Sequence, residues 1–186
     1  MDLKTLMYMR EANQVKRYHT VSYTAIPDTV GHHTGNIIGI LFFLFDDAPP
    51  LGVISNAMYH DVLELITGDI PSTMKWTDEL FREILNKLEE GLSKKMNIPT
   101  AKMSEQEGHL LRFADIMDLC LKSVDEIMVG NQMYYPVLAN GLSYAGHIVR
   151  NELKGHVRAT ELFSALMMHP HINIVELIDE PIQKPH

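Results

Sequence analysis

One stretch limits the fold more than any other: "SEQEGHLLRFADIMDLCLKSVDEIMVG", residues 104–130. Its apolar residues recur at helical spacing over about seven turns. Ser104 followed by Glu107 is a capping box, and Gly130 stands just past the end. The pattern predicts a helix over Ser104–Val129, too long to be a side feature of a small protein. Other elements must pack along its apolar face.

Helical spacing dominates elsewhere too. Leu3, Met7 and Met9 mark a first helix. A second, opened by His33 or Thr34 and running to Phe45, is apolar nearly all round and so is expected to be buried. A third spans Leu51 to Thr67, with Pro50 at its start and Gly68 as its stop. A fourth covers Thr77–Met96, with Thr77 as N-cap and an acidic first turn. A sixth runs from Asn140 to about Met168, with Gly141, Gly146 and Gly155 threatening its continuity. "HINIVELI", residues 171–178, is the one β-like run, and it has no pairing partner. The expected fold is all-α, a compact bundle of about six or more helices in one domain over 1–186.

Composition excludes some classes of function. The net charge of −8 leaves no basic face for a nucleic-acid polymer. The longest apolar run, "IIGILFFLF", has nine residues, against the about 20 that a membrane span needs. The N-terminal stretch lacks a signal peptide's apolar core, and Cys120 is the only cysteine, so a cytoplasmic protein is expected.

The third helix carries residues that a core helix should not. "AMYHDVLELITGD" puts His60, Asp61 and Glu64 among apolar neighbours. Burying such groups is costly without partners. On a helix His60 and Glu64 share a face, with Asp61 about 100° round. Taken singly, a helical His is more often a hydrogen-bonded core residue than a ligand. The conjunction carries more weight: His33, then His60-Asp61, then Asp115, on successive helices. Two imidazoles and two carboxylates brought together suit a divalent ion, with Mn, Fe, Co, Ni or Zn favoured over Mg.

The order His…His-Asp…Asp resembles the HD superfamily of metal-dependent phosphohydrolases. "YHDVLELITGDIP" is similar to the small deoxynucleotide-hydrolysing members, and "KRYHTV", "DTVGHHTGNI" and "RFADIMDLCLKSVDEIMVGN" extend the likeness over residues 14–131. The resemblance implies His33, His60, Asp61 and Asp115 as metal ligands, with Co, Mn, Ni, Zn or Mg as the ion. It implies Glu64 as acid/base group and Arg17 as phosphate contact. Asp69 would accept a hydrogen bond from the sugar 3'-hydroxyl, with Thr67, Ile70 and Lys75 lining the cleft. Lys16, Tyr18 and His19 complete the expected substrate contacts, Tyr18 or His19 by stacking on a base. The pattern departs at "GHH", where His32 replaces the usual Glu. Asp118, one turn beyond Asp115, is a second acidic candidate, though "AD" at 114–115 matches better.

Two substrates compete. "RYHT" close before "DTVGHHT" looks more like phage-type dATP triphosphohydrolases, which favours release of triphosphate from a dNTP, in a host cytoplasm if phage-encoded. The alternative is a 5'-deoxynucleotidase acting on deoxynucleoside monophosphates. A third reading, of another class, is a non-catalytic metal- or nucleotide-binding helical module. The apolar second helix and the twelve Met residues suit helix–helix interfaces, and a homo-oligomer is expected.

Overall fold

The computed structural model describes residues 2–18, 23–70 and 78–168. Among these residues eight α-helices follow one another: α1 (Leu3–Ala12), α2 (Val30–Leu44), α3 (Leu51–Tyr59), α4 (Glu64–Thr67), α5 (Glu79–Met96), α6 (Glu105–Met128), α7 (Tyr135–His147) and α8 (Val157–Met167). Among the described residues there is no strand, only an isolated antiparallel bridge between Lys16 and Thr29. The all-α expectation stands. No described helix is long and apolar enough to cross a membrane.

The helix α6 is the spine. Ser104 and Glu107 close the expected capping box, so its first N–H groups are satisfied. It buries Leu110, Phe113, Ala114, Met117, Cys120, Val124 and Ile127 in one core with Ile37, Leu41 and Leu44 of α2 and Leu138, Leu142 and Ala145 of α7. Gly141 lets α6 and α7 approach closely, for a Cβ there would stand 2.7 Å from Cys120 Sγ. Burial in this core pushes the Cys120 thiol up to about 12, which keeps it protonated and inert. A second, smaller cluster of Ala12, Val62 and Met96 ties α1, the α3–α4 turn and α5 together.

Several boundaries differ from the sequence expectation. The second helix starts at Val30, not at His33 or Thr34, because Thr29 is the N-cap and accepts from the His32 N–H. The fourth starts at Glu79 under an Asp78 cap, and Thr77 lies outside the described residues. The run expected as one helix over Leu51–Thr67 is two. Between them the backbone tightens to three-residue bonds, Val62 N–H to Tyr59 O and Glu64 N–H to Asp61 O. The sixth expected helix is also divided. α7 begins earlier, with Pro136 in its first turn, and runs through Gly141 and Gly146. A π-turn follows over Ile148–Glu152, and Gly155 at φ 84° ends the run before α8. The stretch "HINIVELI" falls outside the described residues.

Two features bring the N-terminal segment to the spine. Residues 13–17 run alongside 28–31, with Arg17 N–H bonded to Asp28 O and Val30 N–H to Val15 O. Glu126, fully buried on α6, accepts from the N–H groups of Ala25 and Ile26, from Lys122 Nζ and from Asn131 Nδ2. Lys122 also donates to the Ile26 carbonyl. A buried carboxylate with four donors is fully compensated, so this clamp pins the 23–28 loop to α6.

Candidate metal and phosphate site

α2, α3 and α6 converge on one point. His33 sits on the buried face of α2 with no exposed surface. Its Nε2 lies 3.0 Å from Asp115 Oδ1, 3.4 Å from Asp61 Oδ2 and 3.2 Å from His60 Nε2. Asp61 Oδ2 is 3.2 Å from His60 Nε2. His33, His60 and Asp115 each offer one ligand atom, and those atoms lie within 4.8 Å of one another. All four residues singled out in the sequence are thus brought together.

The other ring edges explain the arrangement. His60 Nδ1 donates to the Ala57 carbonyl at 2.6 Å. His33 Nδ1 lies 2.6 Å from Asp118 Oδ2. With both Nδ1 atoms engaged, both Nε2 atoms are directed at the same small space, flanked by two carboxylates. That donor set fits a borderline divalent cation.

Protonation follows the same geometry. Burial disfavours charged His33, but hydrogen bonds to Asp115 and Asp118 outweigh it and hold its pKa up at about 9. Burial works the same way on His60, and the Asp61 charge again overcomes it and raises the group. Burial raises Asp61 and Asp115, yet the imidazoles beside them keep both below the usual carboxylate range. The two carboxylates therefore favour positive charge at the point where the imidazoles meet them.

Arg17 stands beside this cluster. Its Nη1 lies 3.6 Å from both Asp28 and Asp118. Its Nε and Nη1 are buried, and among the described residues neither has a hydrogen-bond acceptor. Buried orphan guanidinium donors are rare, and they suit an anion that brings its own oxygens. Tyr18 follows at φ 59° and donates its N–H to Asp69 Oδ2 at 2.9 Å. Its ring packs edge-on against Tyr134 and under the Arg17 guanidinium, rather than standing clear to stack on a base.

The remaining candidates are spread out. Glu64 opens α4 directly after the tightened turn that carries His60 and Asp61, with its Oε2 buried. Thr67 bonds back to the Leu63 carbonyl at the end of α4, and Ile70 is half-buried beyond it. Lys16 is exposed. His19 and Lys75 lie outside the described residues. His32, at the departure from the usual Glu, is exposed, with Nδ1 3.7 Å from Asp28. Sequence reasoning missed Asp28 and Glu126, whose turn and surface-like contexts carry no chemical signal. It had Asp118 only as a rival ligand, whereas the structure puts that residue behind His33.

A family model described as YfbR-like 5'-deoxynucleotidase matches residues 6–143, the span that holds every residue of this cluster. The chain belongs to the YfbR-like 5'-deoxynucleotidase family. The expected HD-superfamily membership is thereby shown. A 5'-deoxynucleotidase of Pasteurella multocida is 30% identical over an alignment covering 42% of this chain and 47% of that protein. One of Vibrio vulnificus is 26% identical, and one of Yersinia pestis 29%, with the same coverage. The match thus spans about half the length of these curated relatives.

Proposed function

We propose that this chain is a metal-dependent phosphohydrolase that removes the 5'-phosphate from deoxynucleoside monophosphates. The observation that carries the reading is the convergence of His33, His60, Asp61 and Asp115 beside Arg17, whose buried Nε and Nη1 have no hydrogen-bond acceptor among the described residues, in a member of the YfbR-like family. His33, His60, Asp61 and Asp115 hold the ion. A divalent ion held there supplies Lewis-acid polarisation of the phosphate and an activated water. Arg17 binds the phosphate oxygens and stabilises the charge that grows on them. Glu64 moves the proton, as base toward water or acid toward the leaving 5'-oxygen. Asp69, oriented by the Tyr18 N–H, takes the sugar hydroxyl. Thr67, Ile70 and Lys16 border the nucleotide.

The triphosphohydrolase, placed first on the sequence, gives way to this alternative. The family and the relatives above carry the name 5'-deoxynucleotidase. A cytoplasmic, homo-oligomeric enzyme is the form in which we expect it to act.

The test is a panel of each dNMP and dNTP with Mn or Co, following the phosphate released. Orthophosphate from monophosphates is expected. Inorganic triphosphate from a dNTP, with monophosphates untouched, would restore the other substrate. A chain that binds metal and nucleotide yet releases no phosphate would be a binding module.

A further inference from the structure

Asp118 is almost fully buried, and its side chain has a hydrogen bond to one partner, His33 Nδ1 at 2.6 Å. The same oxygen, Oδ2, lies 3.6 Å from Arg17 Nη1. Asp115 and Asp118 are three residues apart on α6, so they share a face of that helix. One helix therefore grips both edges of the His33 ring, Asp115 at Nε2 and Asp118 at Nδ1. A buried carboxylate needs partners, and the two that Asp118 has among the described residues belong to different parts of the site.

We propose that Asp118 is a positioning residue that aims His33 Nε2 at the metal and ties it to the phosphate-binding Arg17. The inference rests on the metal-dependent reading above. A carboxylate accepting from Nδ1 places the ring proton there, keeps the Nε2 lone pair for the ion and makes it a stronger donor. It also fixes the ring's rotation. Through Oδ2 the same group sets one position of the guanidinium, so metal and phosphate contacts are referenced to one atom. Asp28 is the natural contrast: it lies 3.6 Å from Arg17 Nη1, as Asp118 does, but the imidazole beside it is that of His32.

The experiment measures Mn(II) binding to the full chain by electron paramagnetic resonance, without nucleotide. Asp118→Asn should raise the Mn(II) dissociation constant about 10- to 100-fold, and Asp28→Asn should leave it at the wild-type value. Asp118→Ser guards against a folding defect in the first variant, with thermal melts on each, and should also weaken binding. At saturating Mn(II) the Asp118→Asn enzyme should recover most of its kcat while keeping a raised KM for the nucleotide. Wild-type Mn(II) affinity in both folded Asp118 variants overturns the inference and leaves the function reading standing. Equal weakening by Asp28→Asn also overturns it, because the effect would then be general charge. A wild-type chain that takes up no Mn(II) overturns the metal reading and this inference together.

Discussion

His60 donates its Nδ1 proton to the carbonyl of Ala57, three residues back, at 2.6 Å. That one bond fixes the tautomer and turns Nε2 toward His33, where the candidate ligands meet. A histidine at the end of a helix thus becomes half of an imidazole pair, although the backbone that carries it is no longer regular helix.

Metal should stabilise the fold. Mn or Co at 100 times its dissociation constant contributes about 2.7 kcal/mol by mass action. For a chain of this size that is a rise in melting temperature of about 5–10 °C. Differential scanning fluorimetry should show it in wild type and lose it in Asp115→Asn. An unchanged melt across all divalent ions would argue against the site.

Glu64→Ala should keep that metal-induced shift while phosphate release falls about 10²- to 10⁴-fold. Steady-state assays at saturating metal are the measurement. Wild-type-like turnover would remove Glu64 from proton transfer.

Arg17→Ala should raise KM for a deoxynucleoside monophosphate by about 10- to 100-fold, the worth of charge-assisted hydrogen bonds. Arg17→Lys should recover little, since a point charge lacks the planar fork needed to meet a phosphate in bidentate fashion. Full activity in the lysine variant would contradict a bidentate role.

The Glu126 clamp makes a pH prediction. Burial raises this carboxyl, but Lys122, Asn131 and the Ile26 and Ala25 N–H groups outweigh it and bring it down to about 2. Its folded pKa is depressed, so its stabilisation is full above the ordinary value of 4.5 and is lost as pH falls from there toward 2. Urea midpoints should decline over that window. Glu126→Gln should start lower at neutral pH and show a shallower acid slope, and an acid slope equal to wild type would assign the loss to other groups.

Gly141→Ala should destabilise the chain by about 1–3 kcal/mol, as overpacking does. The cause is the 2.7 Å approach of its new Cβ to Cys120 Sγ. Adding Cys120→Ala should return part of the loss, a coupling that a double-mutant cycle reads directly. Strict additivity would mean that the two helices move apart instead.

Much of this molecule was legible in its residues. The capping box of α6, its apolar stripe and the wholly apolar α2 are local signals, and local physics decides them. The candidate ligands were legible for a related reason: His33, His60, Asp61 and Asp115 are polar exceptions on helices that otherwise read as core. Helix ends were less so. Thr29 rather than His33 opens the region of α2, and the break after Tyr59 follows turn bonds that no side-chain periodicity encodes.

The sequence by itself determined an all-α chain and the four residues that would meet. Only the tertiary structure decided how they meet, because distances between helices depend on packing and not on spacing along the chain. Packing put Asp118 behind His33 instead of beside Asp115 as a rival ligand. It also turned the Tyr18 ring onto Tyr134, and held the loop before α2 on Glu126, more than ninety residues away in sequence.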